Sequence, residues 1–203
     1  MGRPRKEERP EDTVKLLLRA AEDAFGANGF RDTRLGDIAE TVGIRRSSLL
    51  YHFGSKEKLH SMVVETAFTE LNNVLISAMN PEGTLEAQLD GLVDCLLEFA
   101  VERPGLVCVI LRQMVDPRGE GREQIGSAFI ALVDAVETLY RSMAGARLRE
   151  TFPVRAAIVQ LMTSYLVRVA SGQLATAVWG EDDHTKVLAR HLLLSEGALT
   201  SAT

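Results

Sequence analysis

Residues 33–59 read TRLGDIAETVGIRRSSLLYHFGSKEKL, and the pattern within this stretch decides the fold. Thr33 is placed to cap a helix, because a threonine hydroxyl there accepts from an amide two or three residues on. Leu35, Ile38, Ala39 and Val42 follow at helical spacing and share one inward face. Ala39 is small enough to let a neighbouring helix cross closely. Gly43 comes just after the last periodic residue, where a left-handed backbone ends a helix at low cost, and Ile44 anchors the turn. A second short helix over 45–53 buries Leu49 and Phe53, with Leu50 flanking them. Its other face carries Arg45, Arg46, Ser47, Ser48, Tyr51 and His52. Ser55 caps a further helix opening Lys56-Glu57, and a helix N-terminus beside a lysine suits a phosphate.

Two short helices around a tight turn, the second bearing a face of hydrogen-bond donors, match a unit that lays a helix in the DNA major groove. Thr33, Arg45, Arg46, Ser47, Ser48, Tyr51, His52 and Lys56 are therefore candidate contacts to phosphates or base edges. Upstream, the tail Gly2-Arg3-Pro4-Arg5-Lys6 is basic and kept extended by proline. Arg3 and Arg5 suit a narrow minor groove; the same composition equally suits a solubilising tail.

In its ordered pattern of Ile38-Ala39, Gly43-Ile44, Ser48-Leu49, Tyr51-His52-Phe53, Ser55-Lys56-Glu57 and Leu59, the chain resembles the tetracycline-repressor (TetR) family of one-component bacterial regulators. Leu17-Leu18, Ala20-Ala21, Phe25 and Gly29-Phe30 extend the likeness to the family's first helix and the turn after it, so it covers roughly residues 13–60. Beyond that only length and helical character agree. Arg45 departs from the serine often found at the start of the family's recognition helix, and Leu50 from its usual tyrosine. These positions bear on which operator is read. The resemblance implies an N-terminal DNA-binding head (1–54), an effector-binding and dimerisation body (55–203), and a regulator, expected to act as a repressor, rather than an enzyme.

The net charge of −5 looks wrong for a DNA binder until the chain is divided. Residues 1–60 hold 12 Lys/Arg against 10 Asp/Glu, and the remainder holds 11 against 18, so the acidic excess lies away from the proposed DNA face. Cys95 and Cys108 lack metal-ligand spacing and sit among apolar residues, as buried thiols in a reducing compartment do. The first thirty residues contain no apolar leader. The longest hydrophobic stretch, 154–179, is interrupted by Arg155, Gln160, Arg168 and Gln173, which argues against a membrane span. A cytoplasmic protein is expected.

Helical periodicity continues throughout, with no strand-like alternation and no repeat. The expected fold is all-α with about nine helices: 13–28 closed by Gly29, the two short ones, then 56–79, 84–103, one opening at Pro104 and ending before Asp116-Pro117, 122–144, 154–178, and 183–199 capped by Asp183. The fourth places Leu59, Val63, Ala67, Leu71, Val74 and Ala78 on one face and links head to body.

A mostly apolar small-molecule effector is expected between the fifth and eighth helices. Leu96, Phe99, Val107, Ile110, Leu111, Met114, Phe129, Val133, Met162 and Tyr165 are the candidate lining, although each also suits an ordinary core position. Gln113, Thr163, Ser164, Tyr165 and Arg168 are the polar groups that would orient it. Arg168 suits an acidic group if buried and is a solvated charge if exposed. The helix over 154–178 is apolar around much of its circumference, more than one core contact requires, the last helix adds a second apolar surface, and Ile158, Val169, Leu188 and Leu192 are candidates for a homodimer interface. The rival reading is a metal-dependent enzyme: His184 and His191 lie seven apart near Glu181, Asp182 and Asp183. They lack the i, i+4 pairing of a helical zinc motif, and no nucleophile motif is present, so no metal and no cofactor is expected. A third reading is an effector-blind DNA-binding dimer whose body only dimerises.

Overall fold

The computed structural model describes residues 10–77, 83–115 and 122–199. The N-terminal arm with Arg3 and Arg5, the far end of the fourth expected helix (Ala78 and Met79), and residues 116–121, where the sixth helix was expected to end at Asp116-Pro117, lie outside the described residues. Within them the chain is all-α. The helices are α1 (Pro10–Asp32), α2 (Leu35–Thr41), α3 (Arg46–Phe53), α4 (Lys56–Ser77), α5 (Leu85–Glu102), α6 (Pro104–Val115), α7 (Arg122–Ala144), α8 (Val154–Ala170), α9 (Leu174–Trp179) and α10 (Thr185–Leu193). Beyond them, one isolated antiparallel bridge joins Leu148 to Leu199.

The expected elements recur with five differences. The first helix, expected over 13–28 and closed by Gly29, is α1 over Pro10–Asp32, which continues past a left-handed Gly29 (φ 75°). The single helix expected over 154–178 is two, because the chain turns at Ser171-Gly172-Gln173, with Gly172 at φ 52°. Ten helices result where about nine were expected. The last helix is shorter than expected, stopping at Leu193 so that the chain can return to Leu148. His184 is its N-cap residue, while Asp183 accepts from the Thr185 amide at 2.9 Å. On α4 the inward stripe runs through Leu59, His60, Val63, Val64, Ala67, Leu71 and Leu75, whereas Val74 is exposed.

α1, α2, α3 and the start of α4 form the head. Leu17, Ala21 and Phe25 of α1 meet Ile38 and Ala39 of α2 and Leu49 and Phe53 of α3 in one buried cluster that continues into the body. That continuity comes from α1, which packs most extensively on α6. The two helices cross so closely that a Cβ on Gly26 would lie 2.4 Å from the Gly105 carbonyl oxygen, so only glycine fits. Arg112 of α6 reinforces the crossing, donating to the carbonyls of Gly26 (3.1 Å) and Ala27 (2.8 Å). α5, α6, α7, α8 and α10 pack around the rest of the core. α10 is seated on α5 and α8 by Ala189 and Leu193 and held by ion pairs from Lys186 to Asp94 and from Arg190 to Glu86 and Asp90.

Candidate nucleic-acid interface

α2 ends against the core through Leu35, Ile38 and Ala39. Gly43 then adopts φ 76°, its amide donating to the Glu40 carbonyl, while the Ile44 amide reaches the Ala39 carbonyl. A left-handed residue there lets two orphan carbonyls be satisfied within a four-residue turn. α3 follows, with Arg45 as an extended N-cap residue whose side chain makes no capping bond. The side-chain cap that the family's usual serine would supply is thus absent here.

Leu49 and Phe53, one helical turn apart, are buried and fix how α3 is rolled on the head. The same roll leaves Arg45, Arg46, Ser47, Ser48, Tyr51 and His52 exposed together. Tyr51 is 87% exposed, with its ring edge-on to His52 at 5.7 Å. A large aromatic kept in water at that cost, among two serines, a histidine and two arginines, is what a groove-inserting helix needs before its ligand arrives. Leu50 sits half-buried against the core and is not part of the face.

Two expected contacts have other partners. Thr33 does not cap α2, whose N-cap residue is Arg34. It is 4% exposed, and its hydroxyl donates back to the carbonyls of Ala24 (3.0 Å) and Gly29 (2.7 Å), closing the end of α1. Its side chain is removed from the candidate contacts. The Lys56 ammonium donates to the Arg31 carbonyl at 3.0 Å and lies 4.8 Å above the Phe30 ring. It therefore braces the same corner, with protons left over for a phosphate. Ser55 behaves as expected, accepting from the Lys58 amide. The backbone amide of Glu57 itself, and then that hydroxyl, hold the Glu57 carboxyl below the ordinary carboxylate range.

In the body, an apolar cavity of about 70 Å³ lies between α5, α7, α8 and α10. Leu96, Met162 and Tyr165 line it as expected. Phe99, Val107, Ile110, Leu111, Met114, Phe129 and Val133 do not: Val107, Ile110, Phe129 and Val133 are buried in core contacts, Phe99 and Leu111 pack beside them, and Met114 is largely exposed. Leu89, Leu92, Tyr140, Ala189 and Leu193 take their places. The tyrosine hydroxyls at this cavity are engaged elsewhere: Tyr140 donates to the Leu193 carbonyl at 2.6 Å and Tyr165 to the Leu97 carbonyl at 3.3 Å. Arg168 is half-exposed and donates to the Asp182 carbonyl, the solvated alternative for that side chain. Thr163 bonds its own helix, at Val159.

Of the residues expected at a dimer interface, Ile158 is buried and lines the apolar cavity, while Val169 and Leu192 are half-buried against the core. Leu188 is 58% exposed and has Val187, Val167, Leu174 and Val178 as exposed apolar companions on α8, α9 and α10. Among the described residues no three His, Cys, Asp or Glu side chains gather as metal ligands, and no helix is long and apolar enough to cross a membrane. Cys95 is buried, Cys108 half-buried, and both are free thiols.

Comparison with known proteins places the same stretch in context. Residues 17–61 match the family model of bacterial regulatory proteins, tetR family. The negative transcriptional regulator IcaR of the Staphylococcus aureus biofilm operon is 36% identical over 75 residues, which is 37% of this chain and 39% of that protein. The chain thus matches well under half the length of that relative. An HTH-type transcriptional regulator of Mycobacterium bovis is 32% identical over 139 residues, covering 68% of this chain and 66% of its own. The crystal structure of a TetR-like regulator from a Rhodococcus species superposes with a TM-score of 0.70 at 19% identity, over 93% of this chain and 100% of that one.

Proposed function

Because this chain belongs to the tetR family of bacterial regulatory proteins, we propose that it is a one-component transcriptional repressor, not an enzyme, that reads a near-palindromic operator as a homodimer in the cytoplasm. One observation carries this reading: the exposed Arg45-Arg46-Ser47-Ser48-Tyr51-His52 face of α3, seated on buried Leu49 and Phe53. Residues 1–54 are the reading head, with Arg3 and Arg5 of the arm available to the adjacent minor groove, and 55–203 the body. Arginines of the face reach base edges, serines and the α4 N-terminus hold phosphates, and Tyr51 supplies apolar contact to thymine methyl groups.

Dimerisation follows from the exposed apolar side chains of α8, α9 and α10, too many for a surface that stays in water. Two heads related by a twofold axis present α3 helices about 34–36 Å apart, one turn of duplex. Leu188→Glu is expected to convert a dimer to a monomer in sedimentation velocity and to abolish tight operator binding. A Leu188→Glu protein that remains a dimer would remove this face from the interface.

An effector in the body acts only through its different affinity for two head spacings. The wall of the α5–α8–α10 cavity supports an apolar ligand, since its tyrosine hydroxyls are already engaged. Its volume of about 70 Å³ supports the second reading, a regulator whose body dimerises without sensing. Operator binding in the presence of apolar compounds separates the two.

A further inference from the structure

A second cavity, of about 280 Å³, opens where the end of α1, the start of α4 and the last turns of α6 meet, apart from both the α3 face and the apolar cavity of the body. Its lining is unlike either. Gln113 of α6 stands on its wall, 8% exposed, and its Oε1 has no hydrogen-bond partner among the described residues. The rest of that buried stripe of α6 is apolar (Leu106, Val107, Val109, Ile110), so a leucine at 113 would pack there without the cost of an orphan acceptor.

The other groups around the cavity define what would satisfy it. Arg112 commits Nε and Nη2 to α1 carbonyls and leaves Nη1 without an acceptor among the described residues. Asp32 brings an exposed carboxylate to the same lining. His60 is buried edge-on between Phe25 and Phe30, and burial, aided by nearby Lys56, lowers its pKa so that the ring stays neutral. Arg112 Nη1 and the exposed Arg31 as cations, the Asp32 carboxylate, the Asn28 amide and one buried acceptor, over aromatic walls, complement a ligand that carries both an acid and an ammonium group. We propose that this junction cavity binds a small zwitterion of the amino-acid class. Its carboxylate accepts from Arg112 Nη1, and its ammonium donates to Gln113 Oε1 with Asp32 at the mouth. A ligand so held touches α1, α4 and α6 at once, the three helices through which head and body meet.

The test uses the full chain, isotope-labelled, in two-dimensional amide spectra titrated with each free L-amino acid at millimolar concentration. The expected result is saturable shifts with one or more of them at Gly29, Phe30 and Gln113, with α3 and the Leu89–Tyr165 cavity unmoved. Gln113→Leu should keep or raise the thermal midpoint while weakening that binding at least roughly tenfold, the worth of one hydrogen bond from a charged donor. Absence of saturable shifts with every amino acid, which would leave only water in the cavity, overturns the proposal. So does a Gln113→Leu protein that binds as well as its parent. No DNA enters this experiment, so its failure is separate from a failure of operator binding.

Discussion

Arg103→Met is expected to lower the free energy of unfolding by about 3–5 kcal/mol, because it leaves the buried Glu22 carboxylate with only the half-exposed Arg19 at 3.9 Å. Arg103 follows the last residue of α5 and is 4% exposed. Its Nε donates to both Glu22 carboxylate oxygens, at 2.9 and 3.0 Å, Nη2 adds a further bond to Glu22, and Nη1 reaches Glu70 of α4. Glu22 lies on α1 with almost no exposure of its own. Methionine can fill the stem's space, so the loss isolates the charge. Against a typical domain stability of roughly 5–15 kcal/mol, that loss is large. Adding Glu22→Leu to Arg103→Met should restore most of it, since replacing both partners with apolar groups removes the desolvation cost. Urea midpoints of the parent, single and double variants make the comparison. A single variant within about 1 kcal/mol of the parent, the worth of an exposed pair, would show that water reaches the pair. The network joins the head through α1 to the body through the α5–α6 corner. Its strength is therefore also a measure of how firmly the head follows the body.

Arg46→Ala is expected to weaken operator binding by about 1–3 kcal/mol and to relax preference at one base pair, while leaving the unfolding midpoint unchanged. Its side chain is exposed on the first turn of α3, whereas the contacts that seat that helix belong to Leu49 and Phe53. Lys56→Ala should behave differently. It removes a phosphate donor, which weakens all sequences alike and reduces the salt slope by about one. It also removes the brace to the Arg31 carbonyl and the contact over Phe30, so it should lower stability as well. Anisotropy titrations on the operator and on a single-mismatch duplex, at two salt concentrations, distinguish the two variants. Equal affinity of Arg46→Ala and parent on both duplexes would move the reading face elsewhere.

The reading unit was legible because its determinants are local. Gly43 ends α2, the Leu35–Ile38–Ala39 face repeats at helical spacing, and Leu49 with Phe53 sets the roll of α3, all within a span of about twenty residues. What escaped the sequence depends on distant partners. The hydroxyl of Thr33 fits an N-cap pattern, yet the turn at Gly29 brings the α1 carbonyls within its reach, and they win. Glu22 and Arg103 are 81 positions apart, and nothing in either neighbourhood names the other. The cavity lining was mostly missed because helices such as α5 and α6 are apolar on more than one side. Crossing geometry, including the glycine contact between α1 and α6, decides which side meets which helix. Gly172 left a trace, a lone glycine inside a helical pattern, but such glycines are often tolerated without a break.

Selection of bound duplexes from a random pool by the full chain tests the central claim most directly. The account predicts an enriched inverted repeat whose half-site centres lie about one helical turn apart, with enrichment lost when Arg46 and Tyr51 are both replaced by alanine. A pool that never enriches, or one that enriches identically with the doubly substituted protein, would contradict it.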